Sequence, residues 1–228
     1  MTTSHTAGGQ GFDMKRALRR PATPPGEEIV LIGAPIALWD GSRVQIRRLR
    51  ESDSELLLRG FRRLSPESRY RRFLAPTPRL TKGTVRHLVE IDHRDHEALI
   101  AVDEQSGEGV GVARYVRNPA RPDAAEVAVT VVDDWQGRGL GTLLLEAITV
   151  RAREEGVGTF TALMLDDKGQ MMDLLQRLGA VRVVDRAAGA VEVEVDLPAI
   201  GISPELRKLV RLAAASEMAI PIGQLPRG

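Results

Sequence analysis

Apolar and polar positions along this chain switch repeatedly between a period of two and a helical spacing, and the sharpest switch falls at residues 125–142. Residues 125–132 are rich in β-branched side chains and hold no turn former, which predicts a strand. Its alternation puts Glu126, Ala128, Thr130 and Val132 on one face and Val127, Val129 and Val131 on the other. After Trp135 come Gly137, Gly139 and Gly141, and then Leu140, Leu143, Leu144, Ala147 and Ile148 recur at helical spacing. Strand, glycine turn and helix follow directly on one another. The turn therefore exposes backbone N–H groups at the positive end of a helix dipole, a setting for phosphate.

The flanking pattern predicts the rest of the architecture. Residues 36–39 and 43–49 flank Asp40-Gly41-Ser42, a hairpin signal. Ser52 or Asp53 can cap a helix running to about residue 62, and Ser65-Pro66-Glu67 sets a capping serine before a proline at the first helical position. A third helix spans 81–90. Residues 98–102 and 110–116 are apolar and joined by turn chemistry at 103–107, which predicts antiparallel neighbours, and a loop at 118–123 leads into the central strand. The helix from Gly139 ends near residue 155 with Gly156 to close it. It is followed by a strand at 159–165, a helix at 168–178 stopped by Gly179, and a hairpin of 181–184 with 190–197. Strand and helix alternate only in the middle, which predicts an α+β class with a mixed, mostly antiparallel sheet flanked by helices. The expected organisation is a flexible N-terminal tail over 1–34, a single domain over 35–198, and a C-terminal helical extension over 199–228. The extension's helix, capped at Ser203-Pro204-Glu205, carries Leu206, Leu209, Val210 and Ala213 on one face, set to cover the domain or a second subunit.

Composition narrows the function. A length of 228 residues at 43% hydrophobic content supports a core, and 32 basic against 31 acidic residues gives no reason to expect a nucleic-acid partner. The absence of a long apolar run or a signal peptide predicts a cytoplasmic protein with no membrane partner. Without cysteine there is no disulfide, thiolate zinc site or cysteine nucleophile. His5, His87, His93 and His96 lack a metalloprotease spacing, so no metal is expected; neither a Gly-x-Ser-x-Gly elbow, a Rossmann spacing nor a Walker lysine is present. Basic residues outnumber acidic ones across 43–94. They are read as solvated helix faces, with attraction for a phosphate-bearing ligand or an acidic substrate as the alternative.

Gln136-Gly137-Arg138-Gly139-Leu140-Gly141, following a strand and opening a helix, resembles the acyl-CoA signature Gln/Arg-x-x-Gly-x-Gly/Ala of the GNAT superfamily of N-acetyltransferases. The order of elements from 36 to 197 is similar to that fold. Leu64-Ser65-Pro66-Glu67-Ser68-Arg69-Tyr70 and Ala125-Glu126-Val127 resemble the acetyltransferase domain of bacterial protein-lysine acetyltransferases. The resemblance implies acetyl-CoA as co-substrate and acetyl transfer to a primary amine, a protein lysine side chain, by direct attack in a ternary complex. A small-molecule amine, amino acid or aminoglycoside as acceptor, and a non-catalytic acyl-CoA sensor, stay open beside it. It also implies that the amides of Gln136, Gly137, Arg138, Gly139, Leu140, Gly141 and Thr142 hold the pyrophosphate and that the pantetheine arm lines the strand edge at Val131 and Val132. Glu126 lies five residues before Val131, roughly 17 Å at about 3.3 Å per residue, comparable to an extended pantetheine arm. Glu126, at an expected half-buried position, is the candidate general base, with a structural ion pair to an arginine as the bland alternative. A backbone N–H within 127–131 would hold the oxyanion. Two positions depart from the superfamily: Lys168 stands where an asparagine is common, and Leu175 where many members have a tyrosine that protonates the leaving thiolate. Water, or Tyr70 if the early helices fold over the thioester, is left to do so.

Overall fold

The computed structural model describes residue 33 and residues 35–167 and 169–198; Lys168, most of the expected N-terminal tail and the C-terminal extension lie outside the described residues. The elements in chain order are β1 (Pro35–Ala37), β2 (Arg43–Arg48), α1 (Ser54–Arg62), α2 (Pro66–Phe73), α3 (Lys82–Val89), β3 (His96–Asp103), β4 (Gly109–Asn118), β5 (Arg121–Val131), α4 (Leu140–Glu154), β6 (Thr159–Leu165), α5 (Gln170–Leu178), β7 (Val181–Ala187) and β8 (Ala190–Asp196). The strands form one sheet in the order β1-β2-β3-β4-β5-β6-β8-β7. Every neighbouring pair is antiparallel except β5 with β6, so the predicted mixed α+β sheet is the observed one.

Three local expectations are corrected. The loop expected at 118–123 is a tight turn inside a β4–β5 hairpin, because Asn118 pairs with Arg121 and its side-chain oxygen accepts from the Ala120 N–H at 2.9 Å. β5 thus begins four residues before the apolar run does. β7 extends to Ala187, three residues further than its apolar stretch, since its polar side chains face outward while its backbone pairs with β8. A short 3₁₀ turn, Asp133–Trp135, stands between β5 and the glycine turn.

The alternation of the strands divides the core in two. Leu99, Ala113, Tyr115 and Val127 project to the face covered by α4, whose Leu140, Leu143, Leu144, Ala147 and Ile148 are buried against them. Ala98 and Ile100 project to the opposite face, where they meet Leu49 and Val89 and the flanking Leu56, Leu57 and Val112, so α1 and α3 cover that side. Each such large side chain stabilises the fold by about 1.5–3 kcal/mol of transfer free energy. Among the described residues no helix is long and apolar enough to cross a membrane.

Candidate active site

β5 and β6 pair only from Ala124↔Thr159 to Glu126↔Thr161. β5 then runs on to Val131 bonded to β4, while β6 runs on to Leu165 bonded to β8, and the sheet opens between them. The Val132 N–H donates to the Val110 carbonyl at 3.0 Å, which fixes the phase of the β4–β5 ladder. Alternation then turns both backbone groups of Val129 and the N–H of Val131 toward the opening. The Val131 carbonyl already accepts from Gln136 Nε2 at 3.1 Å. Val132 is a correction to the expected edge contacts: its N–H faces β4 and its carbonyl accepts from Trp135 N–H at 2.9 Å.

Beyond the 3₁₀ turn, the Gln136 N–H is held by the Asp133 carbonyl at 3.2 Å. Gly137 and Gly139 take left-handed φ of 74° and 86°, and Gly139 is the N-cap of α4. The first amide to reach a helical acceptor is that of Leu143, to Gly139 O at 3.1 Å. The N–H groups of Gly137, Arg138, Gly139, Leu140, Gly141 and Thr142 precede it at the dipole's positive end, and Gln136 drops out of the expected donor set. A Cβ at Gly139 would lie 2.5 Å from the indole nitrogen of the exposed Trp39, which would have to move aside. The Arg138 guanidinium stays with the protein: it bonds Asp40 at 2.8 Å and the Asp134 carbonyl at 2.5 Å, 4.7 Å from the centre of the Trp135 ring.

The stretch Leu64 to Tyr70 ties α2 to this turn. Ser65 Oγ caps α2 by accepting from Ser68 N–H at 3.1 Å, while Ser65 N–H and Ser68 Oγ donate to the Asp133 carboxylate at 2.9 and 3.0 Å. Partial burial pushes the Asp133 carboxyl up, but these hydrogen bonds outweigh it and hold the group below its ordinary value. At its far end α2 reaches β6, and Arg71 pairs with Asp167, two residues past that strand, at 2.6 Å.

Glu126 stands at the last β5–β6 pair, on the face that α2 covers. Its side chain is exposed rather than half-buried, because the strands separate beside it. No ion pair within 4 Å joins it to an arginine among the described residues, and Arg72 of α2 is the cation it attracts. Next along that face, Ala128, Thr130 and Val132 line a cavity of about 650 Å³, counting space open to solvent, which α1 and α2 wall with Leu56, Phe61 and Phe73.

A split sheet, a strand edge facing the split and uncovered amides at a glycine turn form one continuous feature. Residues 59–180 match the model of the acetyltransferase (GNAT) family. The chain belongs to the GNAT acetyltransferase family. It is similar to acetyltransferase Pat of Mycolicibacterium smegmatis, with 36% identity over 170 residues, 75% of this chain and 50% of that protein. It thus spans about half the length of that relative. An acetyltransferase of Pseudomonas aeruginosa is 34% identical over 147 residues, 64% of this chain and 78% of that protein. Among solved structures, the GNAT domain of S. lividans PAT superposes with a TM-score of 0.66 at 34% identity, covering 72% of this chain and 96% of that one.

GNAT enzymes use acetyl-CoA, and the residues fit it: anion donors at the turn, a peptide-like edge at Val129 and Val131, and a carboxylate where the edge ends. The side chains that could protonate a thiolate are less forthcoming. Leu175 is fully buried in the core. The buried Tyr115 hydroxyl donates to Arg94 O at 2.8 Å and is pushed up to about 12, mainly by burial, on the α4 side of the sheet. Tyr70 is exposed on α2, which does fold over the opening. The sequence reading missed Arg72 and Arg114, both of which line the cavity. The signal for Arg114 was present: a single charge inside the apolar run Val110 to Val116.

Proposed function

We propose that the protein transfers the acetyl group of acetyl-CoA to the side-chain amine of a lysine in another protein, by direct attack in a ternary complex. The observation that carries this reading is the position of Glu126, at the fork of the sheet and on the cavity face. The lysine acceptor is supported by the Leu64 to Tyr70 stretch and by the acetyltransferase relatives.

In this reading the pyrophosphate lies on the amides of Gly137 to Thr142 and the pantetheine arm runs along Val131 and Val129 toward Glu126. A lysine ammonium, with a pKa of about 10.4, costs roughly 4–5 kcal/mol to deprotonate at pH 7. Glu126 accepts that proton, through water given its exposure. The neutral nitrogen attacks the thioester carbon, forming the C–N bond, and an N–H of the 127–131 backbone holds the oxyanion. Collapse breaks the C–S bond, and the attacking nitrogen gives its second proton to water, leaving the neutral amide. The thiolate, whose thiol has a pKa of about 8.5, takes its proton from water, since Leu175 offers none.

The test is thiol release from acetyl-CoA with lysine-bearing proteins as acceptors. Glu126→Gln should lower kcat by about a hundredfold. An unchanged rate removes Glu126 from the role. Binding of acetyl-CoA without turnover on any protein or amine would favour the acyl-CoA sensor, for which the buried Leu175 in place of a proton donor is the supporting observation.

A further inference from the structure

The α1–α3 side of the sheet carries two guanidiniums that the acetyl-transfer chemistry does not use. Arg114 projects from the middle of β4, opposite Ala128 of β5, and only 7% of it is exposed. Its Nη2 donates to the Leu88 carbonyl at 2.9 Å and its Nη1 reaches His96 Nε2 at 3.4 Å. Neither partner is an anion. Arg72 enters the same cavity from α2, its guanidinium 5.1 Å from the centre of the Phe73 ring. Among the described residues no carboxylate lies within ion-pair distance of either; Glu126 is the one that attracts Arg72.

The opposite face of the same sheet shows how this protein treats a buried charge that is purely structural. Glu97, fully buried on β3, is met by Arg48 at 3.3 Å, His93 at 2.6 Å and Arg151 at 3.2 Å. Arg114 receives no such compensation and instead shares its cavity with a second cation. Burial and the charge of Arg72 push it down to about 9, which still leaves it protonated at neutral pH. Burial pushes Arg72 down as well, and Glu126 opposes this. His96, at Arg114's other side, is pushed down to about 4 by burial and by the charges of Arg114 and His87, so it is neutral at pH 7 and offers Arg114 no counter-charge. A desolvated cation such as Arg114 without a counter-ion is costly, and the half-buried Arg72 in the same cavity adds a second positive charge. An anion entering the cavity they line recovers that cost.

The phosphates of a CoA seated on the glycine turn lie beyond Val131, itself three residues or roughly 10 Å along the strand from Ala128, which Arg114 faces, so they do not supply this anion. We propose that Arg72 and Arg114 form a carboxylate site beside the acyl-transfer position, which selects acceptors that carry an acidic group next to the reactive amine. This rests on the reading that Glu126 marks the point of amine attack. The carboxylate has two chemical sources: an Asp or Glu flanking the target lysine in a protein, or the carboxyl group of a free amino acid. A charge-assisted contact of this kind corresponds to a preference of about tenfold to a hundredfold in kcat/KM.

The experiment compares pairs of acceptors that differ only in this charge. One pair is a lysine peptide with Glu or Gln on either side of the lysine; the other is Nα-acetyl-lysine and its C-terminal amide. Each pair is assayed with the wild-type chain, Arg72→Gln and Arg72→Lys. The expected result is a preference for the acidic member that collapses toward one in Arg72→Gln and is largely kept in Arg72→Lys. Arg114→Gln should act in the same direction, with its circular dichroism spectrum as a check on folding. Equal use of both members by the wild type, or a preference that Arg72→Gln leaves intact, overturns the site while the lysine-acetyltransferase reading survives. Preference confined to the free amino acid supports the site and rejects a protein acceptor. No acetylation of any member overturns both.

Discussion

Replacing Gly139 by glutamate would test the glycine turn most directly. The residue has φ of 86° and caps α4, and a Cβ there would sit 2.5 Å from Trp39 Nε1. Left-handed backbone costs a non-glycine residue about 1–2 kcal/mol, and the clash is relieved cheaply because Trp39 is 76% exposed and can swing away. The fold should therefore survive, with a fall of a few degrees in Tm. Binding should not. A carboxylate about 4 Å from a phosphate charge is repelled by about 4 kcal/mol at an effective dielectric constant near 20, which corresponds to roughly a thousandfold in Kd. Gly139→Ala separates strain from charge: it carries the same backbone cost without the negative group, and its loss should stay near tenfold. Calorimetric titration of both variants with acetyl-CoA, alongside thermal melts, measures the two effects independently. A Gly139→Glu protein that melts cooperatively and binds acetyl-CoA within about threefold of wild type would refute the assignment of this turn to the pyrophosphate.

Two further outcomes concern pH. Because His96 is pushed down to about 4, mainly by burial, the unfolded chain binds its proton near pH 6.5 before the folded chain does. Stability should fall as pH drops from about 6.5 to 4, and His96→Gln should flatten that slope in urea melts; an unchanged slope would refute the assignment. The Asp133 carboxyl is held below its ordinary value, so its contribution is present above about pH 4 and is lost as pH falls through its folded-state pKa. Asp133→Asn should lower stability by roughly 1 kcal/mol at pH 7, with the deficit vanishing in strong acid, and should weaken acetyl-CoA binding by loosening the turn.

The strand–turn–helix around Gly139 was legible because each part obeys a local rule: β-branched residues, clustered glycines, leucines at helical spacing. The face carrying Glu126, Ala128 and Thr130 was legible for the same reason, since alternation needs no knowledge of neighbours. The backbone direction at Val131 and Val132 was not, because it depends on which neighbouring strand begins the ladder, and the Val110 carbonyl decides that. The exposure of Glu126 depends on β6 leaving β5, again a non-local event. The basic stretch around α2 reads as one solvated face in sequence, yet its arginines separate in space: Arg69 lies over Phe61, Arg71 pairs with Asp167, and Arg72 turns into the cavity. Helical phase alone does not sort them, because what each meets comes from a different part of the chain.

The parting of β5 from β6 also bears on how the protein endures. Peptide groups exposed along an open strand are a template for any extended chain that reaches them. Here the flanking strands and α2 narrow access to that seam without sealing it. A co-substrate lodged in the seam would splint the two halves of the sheet together and compete with misplaced polypeptide for the same hydrogen bonds. At a hundred times its Kd such a ligand adds about 2.7 kcal/mol to stability. Under the proposed reading, resistance to heat and proteolysis rises and falls with the concentration of acetyl-CoA.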